Sequence, residues 1–212
     1  MIYALGKSGK RIRPEKTGQR ATCPCCETEV MSKCGDITVW HWAHISADCD
    51  RWSEGETAWH IQWKLFLEKE YGARTEVTIE RDGKVHRADV VLPDGTVVEV
   101  QHSALSAKAV AERERFYGRV VWVIDAIGPW QNGRLKQIQL SHDAKADMFG
   151  WTQPRSGFDS AGGLILLDGG VFGEGPYRNV IRLDERLFGL RRFTGFLGGQ
   201  WFHFDKLAKR AG

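Results

Sequence analysis

Two acidic side chains near the middle of the chain are spaced so that they could meet across a hairpin. Asp89 lies in one valine-rich run and Glu99 lies in the next. The Pro-Asp-Gly sequence at 93–95 between the two runs is typical of a tight turn, and we assume the register that sets the two acids opposite each other. Two carboxylates in an apolar setting repel unless a cation or a proton lies between them. Such an oxygen-rich site suits Mg²⁺ or Mn²⁺, and the alternative is a surface hairpin with two solvated acids.

A polar stripe is predicted on the helix that precedes this hairpin. Residues 54–71 follow the helical period, with Ser53 as a candidate cap. The positions expected to face the core are Trp59, Trp63, Phe66 and Leu67. Glu56, His60 and Lys64 are spaced four residues apart, so they share one side of the helix. Such a stripe is usually a solvated face, and its interest comes from its place directly before the two acids.

The elements around the hairpin predict a mixed α/β fold. Three strands are predicted at 73–80, 85–92 and 96–101, the first two joined by an Asp-Gly turn. A helix is predicted from a Ser106 cap to Tyr117, followed by a buried strand at 119–125. The order helix, three-stranded meander, helix, strand indicates a mixed sheet flanked by helices.

All five cysteines are clustered before residue 50. An odd, clustered set in a chain without an evident leader favours metal binding over disulfides. Cys23 and Cys26 form a Cys-x-x-Cys turn that could present two thiolates to one Zn²⁺ ion, and a second pair would complete a tetrahedral site. That second pair is either His41 with His44 or His44 with Cys49.

Four protein ligands predict a structural rather than a catalytic zinc centre, because no position has to stay open. Residues 37–40 are predicted to form the return strand of a small hairpin that carries the ligands. Cys25 and Cys34 are surplus, and each is expected to be a small buried apolar residue or a spectator. The alternative to zinc is a reduced, thiol-rich core.

A basic segment precedes the cysteines. Six basic residues between Lys7 and Arg20 are opposed by Glu15 alone. One interpretation is a solvated, mobile arm. The other is an arm that contacts phosphates, which requires a nucleic-acid partner.

The composition is that of a globular protein. With 212 residues, 42% of them hydrophobic, the chain can bury a real core. A net charge of +3 is only mildly basic, so bulk electrostatics do not indicate nucleic-acid binding. Because no apolar run is long enough to span a membrane, we expect a soluble cytoplasmic protein with no membrane partner.

The last third of the chain predicts a small β-rich extension packed on the core. Residues 129–133 are expected to form a loop, and Phe149 and Trp151 are isolated apolar anchors in a polar stretch. Short strands are predicted at 162–170, 180–183 and 200–204. The glycine-rich run at 162–170 lacks a Gly-Lys-Ser/Thr ending and does not open a helix, so it is not a nucleotide-binding loop.

Taken together, the motifs resemble those of the competence-protein CoiA-like nucleases, a family of the PD-(D/E)XK nuclease superfamily. The motifs are Glu56-Thr-x-x-His60-x-x-x-Lys64, Arg87-Ala-Asp89-Val90, Glu99-x-Gln101-x-Ser103, Arg113-x-x-x-Tyr117 and Val120-x-Trp-Val-Ile124. The Cys-Pro-x-Cys and His-Trp-Ala-His sequences are similar to the cysteine/histidine module that precedes the family's nuclease core. The resemblance spans roughly residues 20 to 125.

The resemblance implies a metal-dependent deoxyribonuclease with a restriction-endonuclease-like core. Asp89 and Glu99 would bind Mg²⁺ or Mn²⁺, with Glu56 as a third oxygen ligand. Gln101 stands where the superfamily has lysine; an amide can orient a water but cannot accept its proton, so the base must be a metal-bound hydroxide or another group. His60 would stabilise charge on the phosphate or hold a carboxylate in place. The residues expected to contact DNA are Lys64, Ser103, Arg113 and Tyr117.

This interpretation divides the chain into three parts. Residues 1–50 form the basic arm and zinc module, 51–127 the nuclease core, and 128–212 the β-rich extension. A second function class stays open, namely a non-catalytic nucleic-acid-binding zinc protein with a degenerate nuclease fold. The oligomeric state is also open, with a homodimer among the candidates.

Overall fold

The computed structural model describes residues 1–36, 39–45, 49–50, 52, 55–139, 147–171, 178–183 and 196–202. The chain divides into two compact units, Met1–Val97 and Val98–Gly212. Both combine β-strands with few helices, so the predicted mixed α/β class is confirmed. The restriction-endonuclease-like core and the predicted segment limits at 50 and 127 stay predictions. Within the described ranges, no helix has the length and apolar character needed to cross a bilayer.

The first unit begins with a five-stranded antiparallel sheet in the order β2-β1-β3-β4-β5. Its strands are β1 (Ala4–Leu5), β2 (Arg11–Ile12), β3 (Arg20–Thr22), β4 (Glu29–Lys33) and β5 (His41–His44). The buried residues that pack together on it are Met1, Ala4, Ala21, Cys23, Val30 and Trp42. The return strand of the hairpin is β5, which pairs with β4. The predicted return strand at 37–40 is therefore wrong: residues 39–40 are not in a strand, and 37–38 lie outside the described residues.

The first twenty residues contain β1, β2 and the first residue of β3, so the prediction of a mobile arm is wrong. Ile2 is fully buried, and the Met1 amino group donates to the Trp42 carbonyl at 3.0 Å. The Trp42 indole in turn donates to the Ile12 carbonyl at 3.1 Å. Burial and hydrogen bonding fix this backbone, whereas the six basic side chains predicted on the arm are exposed. The positive charge is thus carried on the surface of a folded module.

Helix α1 (Ala58–Tyr71) begins later than predicted, because Thr57 is its cap. The Thr57 hydroxyl accepts from the His60 amide, and His60 Nδ1 accepts from the Thr57 amide at 3.3 Å, so the two form a capping box. Gly72 ends the helix in the left-handed conformation, at φ 61°. The candidate cap Ser53 lies outside the described residues.

The polar stripe of α1 is buried. Trp59, Trp63 and Leu67 are buried as predicted, but so are His60 (4% exposed) and Lys64 (0% exposed). The expectation that such a stripe is solvated is therefore wrong here. A helix that is buried on its polar side has to satisfy those polar groups internally.

Strands β6 (Arg74–Arg81) and β7 (Lys84–Val91) form the predicted hairpin after α1. Asp82 and Gly83 both have positive φ, 52° and 69°, as a two-residue type I′ turn requires. The predicted Pro-Asp-Gly turn follows β7, where the Leu92 amide donates to the Thr96 carbonyl at 2.9 Å.

The second unit is one continuous sheet with strand order β10-β11-β14-β13-β12-β9-β8. Its strands are β8 (Val97–Gln101), β9 (Val120–Asp125), β10 (Leu135–Gln139), β11 (Asp147–Trp151), β12 (Leu164–Val171), β13 (Arg178–Leu183) and β14 (Phe196–Phe202). Its helices are α2 (Ala107–Tyr117) and α3 (Ile127–Gln131), with a 3-10 turn at Ser156–Phe158. The cap of α2 is Ser106, as predicted, since its hydroxyl accepts from the Ala109 amide at 3.2 Å.

The last third of the chain is β-rich, and strand β12 pairs in parallel with β9. The predicted extension at 128–212, packed on the core, stays a prediction as a separate part of the chain. The predicted loop at 129–133 is wrong in its first part, where the chain forms α3. Asp125 accepts from the Ile127 amide at 2.9 Å and so starts that helix, and a proline in a first helical turn loses no hydrogen bond.

Candidate functional site

A buried lysine lies among three carboxylates in the first unit, and we call these four residues the Lys64 cluster. The Lys64 Nζ atom lies 2.6 Å from Glu56 Oε1, 2.9 Å from Asp89 Oδ1 and 3.6 Å from Glu76 Oε1. The side chains of Glu56 and Glu76 are buried, whereas that of Asp89 is 24% exposed. The fold thus brings together three residues that the sequence selected, Glu56, Lys64 and Asp89, and adds Glu76.

Lys64 and Glu56 stabilise each other as ions. Burial opposes the charge of Lys64, but the carboxylates of Asp89, Glu56 and Glu76 raise the pKa of this ammonium group above its ordinary value. Burial likewise opposes the charge of Glu56, yet the Lys64 ammonium lowers the pKa of that carboxyl below its usual range. The ammonium group is therefore a cation that already lies between two of the acids.

One oxygen of the cluster lacks a hydrogen-bond donor. Among the residues that the structure describes, Glu56 Oε2 has no hydrogen-bond partner, although the Glu56 side chain is only 7% exposed. A buried acceptor without a donor costs about 1–3 kcal/mol, so this atom favours the binding of a cation or a proton donor. Carboxylate oxygens are the ligands that Mg²⁺ and Mn²⁺ prefer. The donor chemistry of the cluster therefore fits such an ion.

Glu76 is the member of the cluster that the sequence did not reveal. Pairing of Thr75 with Val90 and of Val77 with Ala88 sets Glu76 opposite Asp89 in the β6–β7 hairpin. Its backbone has φ 52°, a left-handed conformation that is rare for residues other than glycine. Alternation along β6 assigns neighbouring residues to opposite faces, yet Thr75 and Glu76 are both buried. No period-two pattern could have found this residue.

The carboxylate of Glu76 also fixes the start of the chain. Its Oε1 atom accepts from the Ile2 amide at 2.8 Å, and its Oε2 atom accepts from the Tyr3 amide at 3.0 Å. The same group thus holds strand β1 and lies beside Lys64. Its burial is compensated by two backbone donors and one cation.

His60 contributes to the cap of helix α1. Its Nδ1 atom lies 2.8 Å from Thr57 Oγ1, within the capping box of α1. The structure thus gives His60 a role in starting the helix that places Lys64. Its predicted action on a phosphate stays a prediction.

In the second unit Glu99 and Gln101 share one arginine. The Arg113 guanidinium donates to Glu99 Oε2 at 2.9 Å and to Gln101 Oε1 at 3.2 Å. All three residues are at most 5% exposed, so Arg113 acts here as the counter-ion of Glu99. The Gln101 amide also donates to the Ser103 carbonyl at 3.1 Å. Tyr117 is buried and Ser103 is exposed, and the contacts of these two residues and of Arg113 with DNA stay predictions.

Arg155 is a second residue that sequence reasoning missed. Its guanidinium donates to the carbonyls of Gln101 (3.3 Å), Ser103 (3.4 Å) and Asp125 (2.9 Å). It thereby fixes the segment after β8 against the end of β9. An arginine in a polar stretch more than fifty residues downstream carries no local signal of this role.

Asp89 belongs to the first unit and Glu99 to the second. Their expected pairing across a hairpin therefore stays a prediction. Within each unit, the acid that the motif assigns to a divalent ion is paired with a basic side chain, Lys64 in one case and Arg113 in the other.

The predicted zinc ligands come together as a Cys₃His cluster. The ligand atoms of Cys23, Cys26, His44 and Cys49 all lie within 4.8 Å of one another. Of the two predicted second pairs, the structure selects His44 with Cys49. His41 is not part of the cluster, and its Nδ1 atom donates to the Val39 carbonyl at 2.8 Å.

The spacing of the cluster fits a tetrahedral metal such as zinc. The Cys23 and Cys49 sulfurs are 3.8 Å apart, and Cys26 Sγ lies 3.3 Å from His44 Nε2. Zn–S bonds of about 2.3 Å and a Zn–N bond of about 2.0 Å separate tetrahedral ligands by roughly 3.5–3.8 Å. The side chains are therefore close to the positions that the metal requires.

The local backbone explains why Cys23 and Cys26 converge. The Cys23 amide donates to the Thr28 carbonyl at 2.9 Å, and the Glu27 amide donates to the Cys23 carbonyl at 3.1 Å. Burial raises the pKa of Cys23, as it does for Cys49. Burial also acts against the Cys26 thiolate, but hydrogen bonds with Thr28 lower the pKa of Cys26 below its ordinary value. A bound metal would stabilise all three thiolates.

Comparison with known proteins concerns the same module. Residues 6–51 match the family model described as competence protein CoiA, N-terminal domain. No curated protein and no solved structure matches the chain. The matched residues include all four members of the Cys₃His cluster and end before α1. Over this N-terminal module, the chain is similar to the N-terminal domain of the competence protein CoiA.

Proposed function

We propose that the protein is a Mg²⁺- or Mn²⁺-dependent nuclease that hydrolyses phosphodiester bonds of DNA. The observation that carries the proposal is the Lys64 cluster, in which the buried Glu56 has an oxygen without a partner among the described residues beside the partly exposed Asp89. The similarity of residues 6–51 to a domain of a competence protein supports it. So does the order of motifs shared with the CoiA-like nucleases.

In this proposal Asp89 and Glu56 hold the cation, and the motif adds Glu99 as a ligand. When bound, the ion neutralises charge on the phosphate and lowers the pKa of water. Lys64 has two successive roles: its ammonium group keeps Glu56 ionised before substrate binds, and it then stabilises negative charge on the phosphate. Asp89 is the most exposed acid of the cluster, so it is the group that substrate reaches.

Gln101 orients a water by hydrogen bonding, but its amide cannot take a proton. Another group must take the proton, and where Glu56 is not a ligand of the cation its Oε2 atom, which has no hydrogen-bond partner among the described residues, can accept it. Glu76 does not reach substrate in this scheme, because its oxygens bind the amides of Ile2 and Tyr3. It holds Lys64 in place.

A second function is favoured by a specific observation. Lys64 neutralises Asp89 and Arg113 neutralises Glu99, at 2.9 Å in both cases. A carboxylate that already has an internal counter-ion attracts a divalent ion less strongly. The alternative is therefore a non-catalytic protein that binds nucleic acid through its zinc module and basic surface.

Cleavage assays decide between the two functions. Purified protein is incubated with labelled linear, circular and single-stranded DNA and with RNA, in Mg²⁺, in Mn²⁺ and in EDTA. We expect cation-dependent cleavage of DNA that is lost in Asp89→Asn and in Glu99→Gln. The matched control is Glu80→Gln, an exposed acid on β6. Binding of DNA without cleavage under every condition would establish the alternative instead.

A further inference from the structure

We propose that Asp50 is a positioning residue that joins the Cys₃His centre to strand β7 and thereby fixes Asp89. The functional part of the proposal rests on the nuclease activity proposed above. Asp50 directly follows the metal-ligand candidate Cys49 and is 5% exposed. A residue in this place can transmit the position of the metal centre to whatever its carboxylate binds.

Both carboxylate oxygens of Asp50 accept hydrogen bonds. Its Oδ2 atom accepts from the Arg87 amide at 2.8 Å. Its Oδ1 atom accepts from His86 Nδ1 and from the Trp52 amide, each at 2.9 Å. The ring of Trp52 stacks on that of His86, with centroids 3.3 Å apart and planes 4° from parallel. The carboxylate is therefore held at two consecutive residues of β7.

The residue whose amide Asp50 binds, Arg87, lies close to Asp89 on strand β7. Arg87 precedes Asp89 by two residues on the same strand, so their side chains lie on the same face of β7. A strand moves as a unit over two residues, because its backbone is hydrogen-bonded to β6 on both sides of this position. Displacement of the Arg87 backbone would therefore move the Asp89 carboxylate away from Lys64.

A second series of contacts connects the Cys₃His cluster to Glu76, the residue opposite Asp89. The Cys23 thiol lies 3.8 Å from the Met1 sulfur. The next two residues, Ile2 and Tyr3, donate their amides to Glu76, which lies opposite Asp89. The metal-ligand candidates are thus connected to both strands of the hairpin. Of these two connections, the one through Asp50 can be cut without removing a member of the Lys64 cluster.

The Cys₃His centre consequently supports the acidic cluster. A zinc ion holding Cys49 would fix the backbone of Asp50, and the carboxylate would fix β7. This goes beyond a structural zinc that stabilises its own hairpin. It predicts that zinc occupancy changes the mobility of a strand outside the zinc module.

Hydrogen exchange of the β7 amides tests this without any catalytic assay. We expect zinc-loaded Asp50→Ala to retain one zinc per chain while peptide 84–91 exchanges about tenfold faster or more, since a hydrogen bond to a charged group is removed. Removal of zinc should accelerate the same peptide in the wild type and have little further effect in the variant. Where cleavage is measured, kcat should fall and KM for DNA should stay unchanged.

The matched control is Ser32→Ala in the same module. Ser32 is fully buried and accepts from the Gln19 amide at 2.8 Å while it donates to the Lys16 carbonyl at 2.5 Å. Its substitution removes two buried hydrogen bonds without acting on β7, so exchange of 84–91 and kcat should stay at wild-type values.

Wild-type exchange of peptide 84–91 in Asp50→Ala, or equal acceleration in Ser32→Ala, would overturn the proposal. If Asp50→Ala does not fold, Asp50→Asn decides by the same measurement. That variant keeps one acceptor for the Arg87 amide, so intermediate exchange supports the proposal and wild-type exchange overturns it. A wild-type protein that cleaves no DNA refutes the nuclease function alone, because the exchange experiment does not depend on cleavage.

Discussion

The Nζ atom of Lys64 lies 2.9 Å from Oδ1 of Asp89, the carboxylate to which the sequence motif assigns a divalent ion. The protein thus holds its own monovalent cation at this acid. A divalent ion that binds there has to share Asp89 with the ammonium group or displace it. Lys64 therefore influences both the stability of the fold and the affinity of the site for metal.

Removal of the Lys64 charge should destabilise the protein strongly. In Lys64→Met, three carboxylates lose a common counter-ion, and breaking such a buried pair costs about 3–5 kcal/mol. Urea unfolding of the metal-free protein measures this loss. The matched control is Lys69→Met on the same helix, whose side chain is 83% exposed and should change the free energy of unfolding very little. Equal stability of the two variants would contradict the role of Lys64.

The stability of the metal-free protein should depend on pH through Glu56. Its pKa in the folded protein is lowered from an ordinary value of 4.5, against the effect of burial, by the Lys64 ammonium. The resulting stabilisation is present above pH 4.5 and is lost as the pH falls through the lowered pKa. Unfolding measured between pH 6 and pH 3 should therefore show a smaller loss in Glu56→Gln than in the wild type. A wild-type pH profile in that variant would refute the assignment.

Substitutions of the cysteines and histidines should fall into two groups according to their effect on zinc binding. Cys49→Ser and His44→Ala should each lower the zinc content from about one per chain and destabilise the fold, because metal binding is coupled to folding. Cys34→Ser and His41→Ala should retain zinc, since neither side chain belongs to the Cys₃His cluster. Elemental analysis of protein prepared without chelator measures all four. Loss of zinc in His41→Ala would require a different ligand set.

The basic surface of the first module should be tested by charge reversal and not by deletion. Deletion of residues 1–18 would remove β1 and β2 and should unfold the first unit, as circular dichroism would show. Changing the exposed Lys7, Lys10 and Lys16 to Glu should leave the fold intact and weaken DNA binding. The slope of log K against log salt should fall by up to about 0.9 for each phosphate that the protein no longer neutralises. An unchanged slope would show that this surface does not bind DNA.

Turns and helix caps that depend on neighbouring residues were predicted well from the sequence. The Asp82-Gly83 turn and the Ser106 cap depend on residues close in sequence, and both are present. The choice between His41 and Cys49 as the fourth ligand needed the position of Cys49 in the fold, which spacing alone does not give. The sequence gives five candidate ligands, and the fold brings four of them together.

Long-range contacts account for what the sequence could not show. The stripe of Glu56, His60 and Lys64 has the pattern of a solvated face, but Lys64 is buried because Glu76 and Asp89 of the β6–β7 hairpin supply its counter-ions. The left-handed backbone of Glu76 breaks the alternation on which strand prediction depends. Arg155 binds carbonyls that are distant in sequence. The role of each of these residues depends on contacts with residues that are distant in sequence.

The contact between Ile2 and Glu76 also sets an order of events during synthesis. The two residues are 74 positions apart, so at about 5–20 residues per second strand β1 waits roughly 4–15 s for its partner to be translated. All four candidate zinc ligands have been made by residue 49, well before α1 begins at residue 58. The nascent chain can therefore close its metal-binding hairpin first, and the acidic cluster is assembled only after the β6–β7 hairpin has left the ribosome.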